Sequence, residues 1–403
     1  MKRVLFFGEA ATLAHVARPV VLASALDTSR FDVCMATGAD FRALATDAQL
    51  PVLDLHCIGT RAYLAAVAAG RPVYPLDTLQ AYVDDDLRLI RHVRPDVVVG
   101  DFRLSLAVSA RLAGVPYIAL SNAYWSPQAA PAFEVPVHAA TRLLGARVAN
   151  AGFQLLRPLI MAQHCLPMHR LRRRHGMPSL GFDLRSVFTE ADLTLFADVP
   201  AMVPLAGAVD ERRYRYIGPV VWSPAAAVPQ TLLGLAETRP LAYVSLGSSG
   251  DPSMMDVIVD AAVAAGCRVA AVGDAGGWTQ RHGNAVVSAP KLPGDQLAAM
   301  AQVVVCNGGS PGTHQAVQQG TPVLGIPANL DQLLNMHHVV AAHAGLSLRA
   351  DRVSRPAVEQ ALRRLLSDSS FTDRARQLRT NFLARPSADL FVRALDDVLG
   401  SAN

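Results

Sequence analysis

Charge is what this sequence has least of. Charged residues make up 17% of it against 51% hydrophobic, and the formal net charge is only +4. That balance excludes a disordered chain and fits a large buried core. It also leaves no electrostatic footprint for nucleic acid. Cysteine is scarce as well. Cys34, Cys57, Cys165, Cys267 and Cys306 are odd in number and nowhere form a C-x-x-C pair. They read as buried thiols of a reducing compartment, not as a disulfide framework. No uninterrupted apolar stretch approaches the ~20 residues of a membrane-spanning helix. Met1-Lys2-Arg3 leads into a short apolar run, Val4 to Phe7, and then directly to Gly8-Glu9. It reads as a first β-strand and not as a signal peptide. A cytoplasmic protein is expected. Two nucleotide motifs are missing: there is no G-x-x-x-x-G-K-[ST], and Gly273-Asp274-Ala275-Gly276-Gly277 is not G-x-G-x-x-G. A P-loop and NAD binding are therefore not expected.

What is present is an alternation of strand and helix signals over 403 residues, enough for two domains. Strands are read at Val4–Phe7, Phe31–Ala36, Val52–Leu55, Val97–Val99 and Tyr117–Leu120, with helices from His15, Thr78 and Phe102 between them. That rhythm predicts a parallel, doubly wound α/β sheet. From about 121 to 189 the pattern loosens into helices with bulky apolar residues, either a wall for a ligand or a cover for the sheet. A first domain of residues 1–218 is expected. A Pro/Ala-rich linker at 219–239, a second α/β domain at 240–385 and a tail helix at 386–403 follow. One short basic cluster, Arg170, Arg172, Arg173, Arg174 and His175, reads as a solvated helix face. Its alternative is contact with an anionic substrate or peripheral contact with a membrane surface.

The second domain holds the densest signal, Val303 to Asn335. Val303-Val304-Val305 is a buried strand, and Asn307-Gly308-Gly309 breaks it. Ser310 suits an N-cap and Pro311 a first helical position. Gly320 and Pro322 end that helix, and a second strand, Val323–Ile326, carries Asp331, Gln332 and Asn335 beyond its carboxyl end. A glycine turn at a helix N-terminus is an anion site.

This stretch resembles the donor signature of the family 1 glycosyltransferases, which have the GT-B fold. Gly308, Gly309, Gly320, Pro322, Asp331, Gln332 and Asn335 match in register. Asn307 stands where the family has His, Pro311 replaces a Gly, and Gln315 replaces a Glu. Ala14-His15-Val16-Ala17-Arg18-Pro19 is similar to the family's G-H-x-x-P element, with Ala14 for the Gly. The resemblance implies two Rossmann-like domains facing across a cleft, the first for the acceptor and the second for the nucleotide sugar, with the tail helix crossing back to the first. It implies an inverting, metal-independent transfer from a UDP- or dTDP-sugar co-substrate, with no further cofactor.

His15 is then the base that takes the acceptor's proton, and Asp101, at the end of Val97–Val99, its orienting partner. Asp96 competes but precedes the strand, and Asp101 could instead cap the helix read from Phe102. The diphosphate is expected on Gly247, Ser248 and Ser249 and on Asn307, Gly308, Gly309, Ser310, Gly312 and Thr313. Lys291 and Leu292 fall beside the nucleotide base, and Asp331 and Gln332 on the donor sugar. The bulky apolar insertion suggests an apolar or lipid acceptor. Asp84-Asp85-Asp86 formally matches a D-x-D metal signature but lies within a helix pattern, and His337, His338 and His343 lack ligand spacing. No metal site is assigned. Two alternatives stay open: a nucleotide-sugar epimerase on the same fold, and a non-catalytic nucleotide-sugar-binding or partner protein.

Overall fold

The computed structural model describes residues 1–130, 133–233, 239–273 and 276–401. Asp274 and Ala275 of the glycine-rich string, 234–238 of the linker region and the last two residues of the tail lie outside that set. The chain forms two compact units. Met1–Pro131, Gly152–Val220 and Arg385–Asn403 make the first, and Ala132–Ala151 with Val221–Ala384 the second. The helical stretch read as one insertion is thus divided between them.

The first unit is built on seven parallel strands: β1 (Lys2–Gly8), β2 (Phe31–Thr37), β3 (Val52–Asp54), β4 (Val97–Asp101), β5 (Tyr117–Ser121), β6 (Leu193–Phe196) and β7 (Tyr214–Tyr216), in the order β3-β2-β1-β4-β5-β6-β7. Runs such as Val97-Val98-Val99 are fully buried because helices cover both faces. One face packs the helix Ala14–Ser24 and the tail helix Ser387–Ser401, whose Phe391, Ala394, Leu395 and Leu399 join the same core as Val4 and Phe6. The other face packs Leu5, Phe7 and Val98 against Leu89 and Ile90 of the helix Leu76–Val93.

The second unit repeats the plan with six parallel strands: β8 (Leu241–Ser245), β9 (Arg268–Val272), β10 (Val286–Ala289), β11 (Val303–Cys306), β12 (Val323–Gly325) and β13 (Gly345–Ser347), in the order β10-β9-β8-β11-β12-β13. In each sheet the chain winds one way and then restarts beside its first strand. The reversal falls between β1 and β4 in one unit and between β8 and β11 in the other. At such a switch point the loops part, and open α/β sheets bind ligands there. In the first unit Gly8 pairs in register with Asp101, and in the second Ser245 pairs with Cys306. His15 and Asn307 therefore sit just past the strand ends that frame the two crevices.

Candidate active site

In the first unit the loop after β1 delivers His15 onto the first turn of Ala14–Ser24. Gly8 makes the close approach of that helix to the strand end possible. A Cβ there would lie 3.1 Å from the His15 carbonyl oxygen and 2.5 Å from Met35 Cε. His15 Nδ1 is 2.8 Å from Asp101 Oδ1. An ionised carboxylate only accepts, so Nδ1 carries the hydrogen, and in the neutral ring Nε2 holds the lone pair. The His15 side chain is 17% exposed and that of Asp101 1%. Asp101 is also gripped by Arg18, which donates from Nε to Oδ2 at 2.8 Å and from Nη2 to Oδ1 at 2.9 Å. Burial alone would push the Asp101 carboxyl up, but the Arg18 guanidinium and the His15 bond hold it below the ordinary carboxylate value. Arg18 Nη1 donates on to Asn122 Oδ1 at 2.8 Å, and Asn122 Nδ2 to Asp198 Oδ2 at 3.0 Å.

Asp101 does not cap the helix behind it. Phe102 turns into the left-handed region at φ 57°, and the helix read from Phe102 starts at Leu106 with Ser105 as its N-cap. Asp96 lies at the opposite strand edge, where it accepts from the Arg3 N–H at 2.7 Å. The left-handed turn is a costly conformation for a bulky residue. It lays the Phe102 ring flat on His15, with centroids 4.5 Å apart. Tyr63, Tyr74 and Phe188 pack around Phe102, and Trp125 packs on Phe188. An aromatic surface therefore adjoins the imidazole.

Behind this turn lies a buried charge cluster that sequence reading missed. Arg103 donates to Glu9 Oε2 at 2.8 Å and to Asp86 Oδ1 at 2.9 Å, with all three side chains fully buried. Ser105 and Ser109 donate to Asp86 Oδ2, and the Tyr82 hydroxyl donates to Glu9 at 2.8 Å. Desolvation opposes the Arg103 charge, but the Asp86 and Glu9 carboxylates outweigh it and raise its pKa. The three acids of Asp84–Asp86 lie inside the helix Leu76–Val93 and point to different partners, Gln80, Arg88 and Arg103. Among the described residues no three His, Cys, Asp or Glu side chains are grouped to hold a metal. His343 Nε2 lies 2.9 Å from the Ser370 hydroxyl, and its ring stacks on Phe371.

In the second unit the turn after β11 is held by side-chain amides. Asn307 Oδ1 accepts the Gly309 N–H at 3.0 Å, and Asn307 Nδ2 donates to Ser249 Oγ at 3.0 Å. Asn307 thus ties the turn to the loop Gly247–Ser249 after β8. One hydrogen on Nδ2 goes to Ser249, which leaves the other for a ligand. Gly308 is left-handed at φ 81°, and a Cβ there would meet Met336 Cγ at 2.6 Å. The helix Ser310–Gln318 follows. Its N-cap is Gly309, not Ser310 as read from sequence, and no side chain caps it, so Ser310 is the first helical residue. Pro311 carries no N–H, and the positive end of the helix dipole lies at this turn. Gly320, at φ 76°, closes it.

The remaining residues read for the donor divide into two sets. Gly247 and Ser248 are exposed, and Lys291 is exposed, whereas Leu292 turns its side chain inward at 2% exposure. The Thr313 hydroxyl is buried. It donates back to the Gly309 and Ser310 carbonyls and accepts from Asn335 Nδ2 at 2.8 Å. Asn335 Nδ2 also holds the Gly308 carbonyl at 2.8 Å. Gln332 is buried in a capping box with Asn329 at the start of Leu330–Ala341, and its Nε2 donates to Ser249 Oγ at 3.3 Å. Asp331 is half-buried in the first turn of that helix. Gln332, Thr313 and Asn335 thus position the turn, and Asn307, Gly312 and Asp331 border it.

Known proteins resemble the chain in sequence and in fold. Residues 279–398 match the family model described as Erythromycin biosynthesis protein CIII-like, C-terminal domain. A PGL/p-HBAD biosynthesis glycosyltransferase of Mycobacterium tuberculosis is 45% identical over 94% of this chain and 89% of its own length. A PGL/p-HBAD biosynthesis rhamnosyltransferase of Mycobacterium bovis is 42% identical over 94% of this chain and 84% of its own. The solved structure of spinosyn rhamnosyltransferase SpnG complexed with thymidine diphosphate superposes with a TM-score of 0.71 at 18% identity, over 98% of this chain and 100% of that one. Such identity across nearly the whole chain places it with the transferases. The chain belongs to the family 1 glycosyltransferases of the GT-B fold.

Proposed function

We propose that the chain moves a sugar, with inversion and without a metal, from a nucleoside-diphosphate sugar to a hydroxyl of an apolar small molecule or lipid. The observation that carries the reading is the His15–Asp101–Arg18 arrangement at the β1/β4 switch point, in which Nδ1 faces the carboxylate and leaves Nε2 as the acceptor of the neutral ring. Nε2 takes the acceptor's hydroxyl proton. The oxygen forms the new bond to the anomeric carbon, and the bond to the diphosphate breaks with its electron pair leaving on the phosphate oxygen. A single displacement of this kind inverts the anomeric centre. Asp101 fixes the ring and stabilises the imidazolium that forms, as the carboxylate of a triad does. The aromatic surface around Phe102 suits an apolar or aromatic acceptor.

On the donor side, the diphosphate sits against the Asn307–Gly309 turn and the start of Ser310–Gln318, where N–H groups and the helix dipole favour an anion. Asp331 accepts from sugar hydroxyls, while Lys291 lies toward the base. The thymidine diphosphate bound by the SpnG structure favours a thymidine nucleotide over a uridine one. The test is transfer by the purified chain from a panel of dTDP- and UDP-sugars to apolar phenols, in EDTA, with the product anomer read by NMR. Inverted product in EDTA is expected. Retained configuration, or activity that needs added Mn²⁺ or Mg²⁺, would overturn the mechanism. Failure to bind any nucleotide would overturn the donor site.

A further inference from the structure

The helix Ala146–Arg174 carries a second surface that transfer chemistry does not use. From Gly152 onward it belongs to the first unit, and it buries Phe153, Met161, Cys165, Met168, Leu171 and Arg172 there. Its opposite side is where polar residues are expected on a helix of a soluble domain. Instead Leu155 is 81% exposed, Leu159 70% and Leu156 51%. On a 3.6-residue turn Leu155, Leu159 and Leu166 share one stripe, and Arg170 and Arg173 continue it toward the helix end with Arg174 beside them. All three of these arginines are exposed. Arg172 turns inward, donating to the carbonyls of Pro178 and Ala107, and His175 is half-buried against Gln80, so the solvated-face reading fails for those two residues.

Sequence composition sharpens the point. From Val135 to Phe182 there is no aspartate or glutamate, while arginine occurs seven times. A solvated helix face ordinarily mixes both signs, and the rest of this chain does so with 33 acidic residues. An exposed leucine stripe that runs into unopposed arginines complements a surface that is apolar inside and anionic at its rim. We propose that this face docks the enzyme on an anionic lipid bilayer, with Leu155, Leu156 and Leu159 entering the acyl boundary and Arg170, Arg173 and Arg174 meeting lipid phosphates. Arginine stems can lie along apolar surface while their guanidiniums stay at the headgroups. The face would bring the enzyme to acceptors dissolved in a membrane. It stands independently of the donor reading.

Flotation of the full chain with vesicles tests this. Vesicles of phosphatidylglycerol and phosphatidylcholine are expected to carry it, and pure phosphatidylcholine is not. Added salt should weaken binding, since exposed charge is screened. Arg170→Gln/Arg173→Gln/Arg174→Gln should weaken partitioning by on the order of 100-fold at low salt, the scale of three basic residues at an anionic surface. Leu155→Gln/Leu159→Gln should also weaken it, with the thermal melt unchanged because both side chains are exposed. No binding to anionic vesicles at low salt overturns the proposal, and so does equal binding to neutral ones. Sedimentation is run alongside. If wild type is a dimer that the leucine variant dissolves, a second copy covers this face and the membrane reading falls.

Discussion

The two switch points are built from opposite materials. At β1/β4 the side chains are charged and locked: Asp101 holds both His15 and Arg18, and Arg103 holds Glu9 and Asp86 just behind. At β8/β11 the side chains that fix the turn are neutral: Ser249 accepts from Asn307 and Gln332, and Asn335 donates to the Gly308 carbonyl. The proposed reaction accounts for the difference. Moving a proton needs a titrating ring whose orientation and protonation are fixed by a neighbouring charge. Holding a dianionic leaving group needs donors already aimed at it, and backbone N–H groups with amides supply these without bringing counter-charges of their own. On the proposed reaction, one crevice is organised to change charge and the other to receive it.

The largest effect should come from removing the titrating group. His15→Ala should lower turnover roughly 10²–10⁴-fold, the usual worth of a general base. Thymidine diphosphate binding, measured by calorimetry, should not change, because the proposed donor site lies in the other crevice. Near-wild-type transfer by a pure, folded variant would end the assignment.

Arg103→Met comes next and reads out in stability. It leaves Glu9 and Asp86 as buried carboxylates without their cation, a loss of roughly 3–5 kcal/mol by denaturant unfolding. A loss below about 1 kcal/mol would mean the charge cluster is not what supports the Phe102 turn.

Asp101→Asn should lower turnover as well, through the lost orientation of the His15 ring. It also has a pH signature. The folded Asp101 carboxyl is held below its ordinary value of about 3.9. Its stabilisation is therefore complete above that ordinary value and is lost as pH falls through the folded one. Melts taken from neutral pH down to about pH 3 should fall less steeply for the variant. Parallel acid limbs would show that the carboxylate is not linked to folding.

Much of this was legible in the residues because parallel sheets bury their strands on both faces. Val97–Val99, Leu193–Phe196 and Val303–Val305 announce themselves as apolar β-branched or aliphatic runs. Strand β13 did not, since Gly345-Leu346-Ser347 has no such run and exists by pairing with β12. The long helix Ala146–Arg174 read as broken pieces because it contains Pro158 and Pro167. In the site, His15 and Asp101 were legible as a pair through the family resemblance, with Asp101 at a strand end of the same sheet. Arg18 left a signal that went unread: three residues after His15 on one helix, it shares His15's face. The Glu9–Asp86–Arg103 cluster left none. Its members are 77 and 17 residues apart, and only the strand order brings them together. The buried roles of Gln332 and Thr313 are likewise invisible, because a side chain that binds a ligand and one that caps a helix are the same letter.

The smallest effect is the one that most sharpens the contrast between the crevices. Asn307 stands where family members have His, and here both ends of its amide are engaged, with one hydrogen left over. Asn307→Ala should weaken thymidine diphosphate binding by about 0.5–1.5 kcal/mol, one neutral hydrogen bond. That figure alone cannot separate a phosphate contact from a slackened turn, so the isosteric change is the informative one. Asn307→Asp keeps an oxygen to accept the Gly309 N–H and the same shape, but it removes the donor and sets a negative charge at the turn. If the diphosphate lies there, Asp should weaken binding more than Ala does, despite preserving the turn better, and added salt should narrow the gap. Asn307→His should bind at least as well as wild type and raise turnover, because an imidazole can place charge on the leaving group. Calorimetry with the diphosphate on all three variants decides it. If Asp binds as tightly as Asn, no anion sits against this residue, and Asn307 is a strut between two loops and not a donor to the leaving group.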